Sequence, residues 1–427
     1  MDCLESLKLG VVRQIYPQSA RPPIRAELER GFQAQGLTEA LKPGARVLIT
    51  SGSRGIESMT EVVREIAALV RAAGASPMIL PAMGSHGGGT AQGQVEVLEH
   101  LGQTEATLMA PIIDGYEPTV IGQVFDSLPV SVDRAALPGQ CDQVILVGRV
   151  KEHSEFTGPI ESGLTKMAVV GLGRVDGAAK MHSAAVRHTY SKTLEAMARV
   201  IFQKVPVLCG VALIEDQRNI LHSLEVVPAA DIIRREPELL AQSKLHKPSL
   251  PYESLDVLVV DEMGKDISGS GLDTKVVGRI MNIYEKEPDG PRITRLVTLR
   301  MSPKGGGNAI GVGLNDFITR ELFEAIDLEM TALNSIVAVS PEKGRIPIIR
   351  PQARSALAAA IETVGPRRPQ ELELAWIANT KDLEYLAVSQ ALWDQAADKP
   401  ALERLGAPRP MPFRSDGSLP ALADWRS

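Results

Sequence analysis

Three histidines and one lysine stand among glycine-rich turns of this chain, and together they could carry out acid–base, metal-binding or covalent chemistry. His153, Lys166 and His182 fall within one stretch, and His86 lies upstream in its own turn, 84-GSHGGGT-90. The chain has only 7 histidines in 427 residues. Imidazole exchanges protons near neutral pH and ligates metals, whereas a lysine amine can form covalent bonds. We therefore take these four residues as the candidate site.

The remaining four histidines have sequence contexts typical of helices or of exposed surface. They are His100, His188, His222 and His246. A single histidine in such a context is more often hydrogen-bonded or solvated than catalytic, so we assign these four no chemistry.

The composition is that of a globular protein, and it excludes several classes of function. Hydrophobic residues make up 44% of the chain, charged residues 23%, and the formal net charge is −6. No run of lysine and arginine is long enough to follow a phosphate backbone, so we expect no nucleic-acid partner. No apolar run approaches the roughly 20 residues that span a bilayer, so we expect no membrane partner. The N-terminal residues carry charges where a signal peptide needs an apolar segment, which favours a cytoplasmic protein.

The three cysteines also favour a reducing compartment. Cys3, Cys141 and Cys209 are odd in number and lack the spacing of a zinc ligand set or of a redox pair. We expect reduced thiols rather than a disulfide framework.

Short apolar runs alternate with amphipathic segments through the first half of the chain. This rhythm predicts a mostly parallel sheet with helices on both faces. The predicted strands of this half cover residues 45–50, 77–82, 143–150 and 207–214, and its predicted helices cover residues 59–75, 91–101 and 183–203. In the second half we predict strands over residues 255–260 and 371–377 and helices over residues 319–332 and 352–364.

The length of the chain exceeds that of one ordinary core, and the pattern breaks at residues 245–253, where two prolines interrupt it. We predict an α/β protein of two domains, each a mostly parallel sheet flanked by helices, with the active site in the interdomain cleft. Residues 1–250 would bind cofactor and metal, and residues 253–392 would close the substrate site. The proline-rich tail, residues 395–427, is expected to pack back on the first domain.

The candidate residues follow three of the predicted strands. Ser51-Gly52-Ser53-Arg54 follows the first strand, the glycine-rich turn follows the second, and Lys151-Glu152-His153 follows the third. Ligands of open α/β sheets bind at the carboxyl ends of the strands, so these loops are expected to meet at one site. The glycines let backbone N–H groups approach an anion, and Thr90 is expected to cap the helix that follows.

In the order and spacing of these residue types, the chain resembles the lactate racemase family, whose members use a nickel-pincer nucleotide. The resemblance rests on Arg54 after the first strand, His86 in its glycine turn, and His153 after the third strand. It also rests on Lys166, which His182 follows 16 positions later. It spans most of the chain, although the neighbouring residues differ widely.

The resemblance implies an isomerase that inverts C2 of a 2-hydroxy carboxylic acid. Hydride would pass to the cofactor, nickel pyridinium-3,5-bisthiocarboxylic acid mononucleotide. Lys166 would be its covalent anchor and His182 the nickel ligand. His86 and His153 would be the two acid–base residues, because inversion needs one on each face of the substrate.

The resemblance also implies further contacts and partners. Arg54 with Gly87, Gly88 and Thr90 would contact the cofactor, and the guanidinium of Arg54 would also hold the substrate carboxylate. Enzymes of cofactor synthesis would be the protein partners, and a 2-hydroxy acid would be the small-molecule partner.

Two departures from the family pattern bear on the substrate. Ser51 stands where the family usually has aspartate, and the stretch 264-GKDISGSGLDTK-275 lacks the family's Tyr-Gln pair. Lys275 is expected to contact the substrate. Small residues over 268–271 predict a roomier, more polar pocket, and hence an acid larger than lactate, such as a sugar acid.

Two other functions stay open on the sequence. A zinc-dependent hydrolase could use His86, His153 and His182 as ligands, although zinc sites of this type usually add a carboxylate and Lys166 would then have no task. A non-catalytic nucleotide-binding protein could be built on the glycine-rich turns alone.

Overall fold

The computed structural model of the chain describes residues 3–17, 20–52, 56–84, 86–125 and 127–426. It confirms the predicted α/β class, with sheets rich in parallel strands and flanked by helices. The chain divides into two units. The first, which we call the histidine unit, consists of Ser19–His153 and Thr157–Lys247, and the second, the C-terminal unit, consists of Met1–Gln18, Ser154–Phe156 and Pro248–Ser427.

A five-stranded sheet forms the centre of the histidine unit. Its strands, in spatial order, are Ser76–Pro81, Arg46–Ser51, Gln143–Arg149, Val207–Glu215 and Leu221–Pro228. The first four are parallel, and the last is antiparallel to its neighbour. Val47, Ile49 and Val147 are fully buried, as expected for parallel strands that are covered on both faces. A separate antiparallel pair joins Pro118–Val124 to Leu128–Asp133.

Eight α-helices surround these strands in the described part of the histidine unit. They are Ile24–Ala34, Met59–Ala72, Ala91–His100, Glu105–Leu108, Leu164–Lys166, Leu172–His188, Tyr190–Lys204 and Ile232–His246. Shorter helical turns cover Gly87–Gly89, Arg134–Ala136 and Ala229–Asp231, and a π-helical segment covers Met167–Gly171.

The helix predicted over residues 183–203 is wrong in its boundaries. Two helices occupy this region, Leu172–His188 and Tyr190–Lys204, and Thr189 separates them with a φ of 64°. The start of the first helix is masked in the sequence by its glycines, which carry no apolar side chain to mark a helical face. His182 therefore lies inside a helix rather than at its beginning.

An eight-stranded sheet forms the centre of the C-terminal unit. In spatial order its strands are Ile348–Arg350, Phe317–Thr319, Arg292–Met301, Ser254–Met263, Leu374–Ile377, Tyr385–Ser389, Lys8–Gln14 and Leu402–Pro410. The first five are parallel and the other three pair antiparallel. The α-helices of this unit are Cys3–Ser6, Thr274–Val277, Arg320–Glu324, Leu328–Val337, Ala353–Glu362, Gln390–Gln395 and Leu422–Arg426, with shorter turns at Pro303–Gly305, Val312–Leu314, Pro341–Gly344 and Ala396–Asp398.

These boundaries differ from those expected for the two domains. The first residues of the chain belong with the C-terminal unit, where strand Lys8–Gln14 pairs with Tyr385–Ser389 on one side and Leu402–Pro410 on the other. The tail therefore completes the sheet of the C-terminal unit. Its prolines hid the strand, but proline is compatible with an edge strand, and Leu402–Pro410 is at the edge.

Candidate active site

The loops that follow three parallel strands lie against one segment of the histidine unit. After the first strand, a Cβ placed on Gly52 would lie 3.5 Å from Met167 Cε. After the second strand, a Cβ on Gly84 would lie 3.1 Å from the Cβ of Ala178. After the third, Lys151 and Ser162 exchange two backbone hydrogen bonds of 3.0 and 3.1 Å. The strand ends thus meet around residues 162–178, which include Lys166.

Lys166 and His153 are in direct contact. The Nζ of Lys166 lies 2.6 Å from Nε2 of His153. Lys166 ends the short helix Leu164–Lys166, and the chain continues from it into the π-helical turn Met167–Gly171. Such π-turns are rare and occur frequently at functional sites. Two residues that the sequence placed in one site are therefore hydrogen-bonded partners.

A buried carboxylate fixes the backbone at His153. Glu161 is fully buried, and its Oε2 accepts the N–H of His153 at 2.7 Å. Its Oε1 lies 3.4 Å from Nζ of Lys244 and accepts the N–H of Gly158 at 3.3 Å. Because this carboxylate binds backbone as well as a cation, it holds the turn that presents the imidazole.

His182 is partly buried beside the same lysine. Its Nδ1 lies 3.3 Å from the hydroxyl of Tyr190, and the two rings meet edge to face at 5.5 Å. Burial, and then the positive charge of Lys166, lower the pKa of His182 to about 4. The ring is therefore neutral at physiological pH, which is the form that ligates a metal.

The glycine-rich turn places His86 directly before a run of left-handed backbone. Gly87, Gly88 and Gly89 have φ values of 63°, 65° and 72°. At Gly87 a side chain would overlap the backbone of Gly93, whereas the corresponding side of Gly88 is open. Successive N–H groups in such a turn favour an anion. His86 is partly exposed, and its carbonyl accepts the N–H of Gly89 at 3.1 Å.

Thr90 caps the following helix, as predicted. Its Oγ1 accepts the N–H of Gly93 at 3.1 Å at the start of Ala91–His100. The cap satisfies a backbone N–H group that has no partner within the helix, and it thereby stabilises the junction between the turn and the helix.

Arg174 ties the glycine-rich turn to the helix that carries His182, and the sequence analysis missed it. It is fully buried with a φ of 47°, and its Nη1 pairs with Asp133 at 2.8 Å. Its Nε donates to the side-chain oxygen of Gln94 at 2.7 Å, and the Nε2 of Gln94 donates to the carbonyl of Gly84 at 2.8 Å. No motif marks this arginine, because its partners are distant in sequence.

Glu236 is a second buried carboxylate beside the lysine. It accepts hydrogen bonds from the N–H and the Oγ1 of Thr165, at 2.7 and 2.5 Å. Burial raises the pKa of Glu236 to about 7. Gly163 leaves room for the Glu236 side chain, because a Cβ on Gly163 would overlap Oε1 of Glu236.

Other residues predicted for the site lie elsewhere or have other partners. Arg54 lies outside the described residues. Lys275 is buried in the C-terminal unit, where its Nζ donates to the carbonyl of Phe156 at 3.1 Å. Ser51 is buried, and its hydroxyl donates to the side-chain oxygen of Gln103 at 2.5 Å.

The small residues at 268–271 are part of a packed turn of the C-terminal unit. Ser270 is fully buried, and its hydroxyl donates to the carbonyl of Leu272 at 2.8 Å. Gly271 has a φ of 69°, and a Cβ there would overlap the carbonyl oxygen of Ile310. Close packing thus accounts for the small size of at least these two residues.

The three site histidines do not form a common metal-binding group. Within the described ranges, no three side chains of His, Cys, Asp or Glu are arranged to hold one ion. The same ranges include no helix with the length and apolar character needed to cross a membrane.

Comparison with known proteins gives matches only at the level of structure. No protein-family model and no protein of curated function matches the sequence. The chain is similar to a Thermotoga maritima protein solved by structural genomics, with 14% identity and a TM-score of 0.50 over 84% of this chain and 97% of that one. It is also similar to the lactate racemase apoprotein of Thermoanaerobacterium thermosaccharolyticum, with 11% identity and a TM-score of 0.45 over 90% of this chain and 86% of that one. At such identities, the likeness to the Thermotoga protein is one of fold.

Proposed function

We propose that the chain is a racemase or epimerase that inverts C2 of a 2-hydroxy carboxylic acid with a nickel-pincer nucleotide. The observation that supports this most directly is the 2.6 Å contact of Lys166 with His153, beside the neutral ring of His182. This chemistry requires an amine for covalent attachment, an imidazole for the metal and another imidazole for proton transfer. The three side chains supply these groups in the same order along the chain as in the lactate racemase family.

The chemistry of the side chains fits the nucleotide. Lys166 would hold it covalently, and His182 would ligate nickel without first losing a proton, because its pKa is about 4. The left-handed turn at Gly87 and Gly88, with Thr90 after it, would face the phosphate through backbone N–H groups.

When bound, the nucleotide supplies the acceptor for the hydrogen at C2, so that the reaction avoids a carbanion. His153 would take the hydroxyl proton of one enantiomer or epimer, and His86 would take it from the other. Each imidazole would return the proton when the reaction runs in the opposite direction. Arg54 would hold the carboxylate with its two parallel N–H donors.

The three-histidine zinc hydrolase has less support. It needs His86, His153 and His182 around one ion, whereas no such group forms among the residues that the structure describes. It would also leave Lys166 without a role.

Intact mass and metal content of the full chain test the proposal. Protein produced together with cofactor-synthesis enzymes should gain the mass of the nucleotide, peptide mapping should place it on Lys166, and nickel should be stoichiometric. The matched control is Lys166→Arg, which keeps the charge and should stay unmodified. An adduct on a different lysine, or zinc as the sole metal, would contradict the proposal.

A substrate deuterated at C2 tests the reaction type in the loaded enzyme. The product should retain the label, because the C2 hydrogen never exchanges with water. Complete loss of deuterium to solvent would instead indicate proton abstraction and a carbanion. His86→Gln and His153→Gln should each suppress turnover in both directions, since every inversion uses both residues in sequence.

A further inference from the structure

We propose that His153 and Lys166 form a nucleophilic pair, in which His153 accepts a proton from the lysine ammonium and the freed amine attacks an activated carboxyl derivative. The chain would thereby form its own covalent bond to an acyl-type ligand. This proposal rests on the proposed function only for the identity of the natural electrophile. His153 would thus have a role that precedes any turnover of substrate.

The short contact restricts how many protons the two groups can hold. A lysine ammonium only donates hydrogen bonds, and a doubly protonated imidazole also only donates. At 2.6 Å between Nζ and Nε2, one nitrogen must act as acceptor, so the pair carries at most one positive charge. The proton therefore lies between two nitrogens that compete for it. When His153 takes it, Lys166 is left as a neutral amine, the only form that is nucleophilic.

A buried carboxylate is bonded to the backbone of His153. Glu161 accepts the backbone N–H of His153 at 2.7 Å, so a negative charge is held beside the residue that takes the proton. Lys244 lies 3.4 Å from the same carboxylate and offsets part of its charge.

The amine is held in place and remains reachable. Glu236 fixes the preceding residue, Thr165, through two hydrogen bonds of 2.7 and 2.5 Å. Lys166 itself is only partly buried. A small reagent can therefore reach the nitrogen, whereas the backbone that carries it is anchored in the interior.

The bond changes are those of an ordinary acyl transfer. The Lys166 nitrogen attacks the acyl carbon and a C–N bond forms, while the bond from that carbon to the leaving oxygen or sulfur breaks and the leaving group keeps the electron pair. One proton of the ammonium goes to His153, and the second is lost to solvent after attack. No oxidant or reductant is needed.

N-hydroxysuccinimidyl acetate serves as the probe on full-length protein produced without cofactor-synthesis enzymes. The rate of acetylation of Lys166 is measured by peptide mass at neutral pH and divided by that of Lys42, an exposed lysine of the same unit. We expect Lys166 to react at least about tenfold faster, because an imidazole 2.6 Å from the amine can take its proton as a general base.

His153→Gln should bring the rate at Lys166 down to near that of Lys42, because glutamine can fill the site but is no base at neutral pH. The matched control is the same substitution at His100, a histidine at the C-terminal end of helix Ala91–His100, and it should leave the ratio unchanged. His153→Ala and a melting curve of each variant separate loss of the base from loss of the fold. Equal rates for Lys166 and Lys42 in the unmodified chain, or a fast Lys166 in both folded His153 variants, would overturn the proposal.

The outcome is separate from that of the proposed function. Fast acetylation of Lys166 that depends on His153, in a chain that never binds nickel, would support the nucleophilic pair and contradict the proposed racemase function. A nucleotide adduct on Lys166 that forms equally well in His153→Gln would support the proposed cofactor and contradict the role of His153 in its attachment.

Discussion

Glu236 accepts two hydrogen bonds from Thr165, the residue that precedes the candidate lysine, Lys166. The N–H and the Oγ1 of Thr165 both point at Oε2, while Oε1 is buried and has no hydrogen-bond partner among the described residues. A buried carboxyl with one bare oxygen is more stable when it is protonated. This explains why burial raises the pKa of Glu236 to about 7, and it makes the stability of the histidine unit depend on pH.

Glu236→Gln should remove part of this pH dependence. Because the folded-state pKa is raised from 4.5 to about 7, the contribution of Glu236 is full below pH 4.5 and is lost as the pH rises through 7. The whole loss is about 3 kcal/mol, since each pKa unit corresponds to about 1.4 kcal/mol. The melting temperature of the variant relative to the unmodified chain should therefore rise from pH 5 to pH 8, by roughly 5–10 °C for a unit of this size.

The control for this prediction lies two residues further along the same helix. Glu238 is exposed and pairs with Arg235, so Glu238→Gln should shift the melting temperature by a similar small amount at both pH values. A difference between Glu236→Gln and the unmodified chain that stays constant from pH 5 to pH 8 would show that Glu236 is already ionised in the folded protein.

His182→Ala should lose nickel while the fold persists. The ring is neutral, so its removal takes away a metal ligand without unpairing a buried charge. Nickel per chain is measured after production with cofactor-synthesis enzymes, and the melting temperature is measured on the same samples. His188→Ala, on the same helix but stacked on Phe125 at 3.8 Å, is the control and should keep its nickel. Stoichiometric nickel in His182→Ala would disprove the assignment.

The four parallel strands of the histidine unit were predictable because they are short and mostly buried. Residues 143–150 were predicted and Gln143–Arg149 is the strand, since a run of buried aliphatic residues has few other uses at this length. The Thr90 cap was predictable for a similar reason, because its signal is local. What depends on near neighbours in sequence could be predicted.

Features that depend on distant partners could not be predicted. Arg174 acts through Asp133 and Gln94, which lie 41 and 80 positions away. Strand Leu402–Pro410 exists because Lys8–Gln14 pairs with it from the other end of the chain. The sequence also predicted that His153 and Lys166 share a site, but not that they touch, because side-chain contacts across a turn leave no periodic pattern.

Arg174→Met should destabilise the histidine unit strongly. The substitution leaves Asp133 buried without its cation, which typically costs about 3–5 kcal/mol. It also removes the donor to Gln94, so the turn that carries His86 loses its support. The measurement is urea unfolding of the full chain, with Arg199→Met as the control, because its pair with Glu195 is exposed and should contribute less than about 1 kcal/mol.

A double substitution separates the ion pair from the other contacts of Arg174. Asp133→Asn removes the buried charge, so Arg174→Met combined with Asp133→Asn should cost clearly less than the sum of the two single changes. Additive costs would mean that the two side chains stabilise the unit independently, and that the buried pair is not what makes Arg174 necessary.

A substrate panel tests the predicted preference for a substrate larger than lactate. Ser270 and Gly271 are packed against their own unit, so their small size does not by itself indicate space for a ligand. Lys275 donates to the carbonyl of Phe156, which fixes where its charge lies. We still expect C5–C6 aldonates to exceed lactate in kcat/KM when both are given to loaded enzyme. If Lys275 contacts the substrate as expected from the sequence, Lys275→Met should raise KM for aldonates more than for lactate, because only the longer acid has distal hydroxyls. If lactate has the highest kcat/KM of the panel, the larger-substrate prediction is wrong. It is also wrong if Lys275→Met lowers kcat/KM equally for all substrates, because the lysine then serves only to hold Phe156.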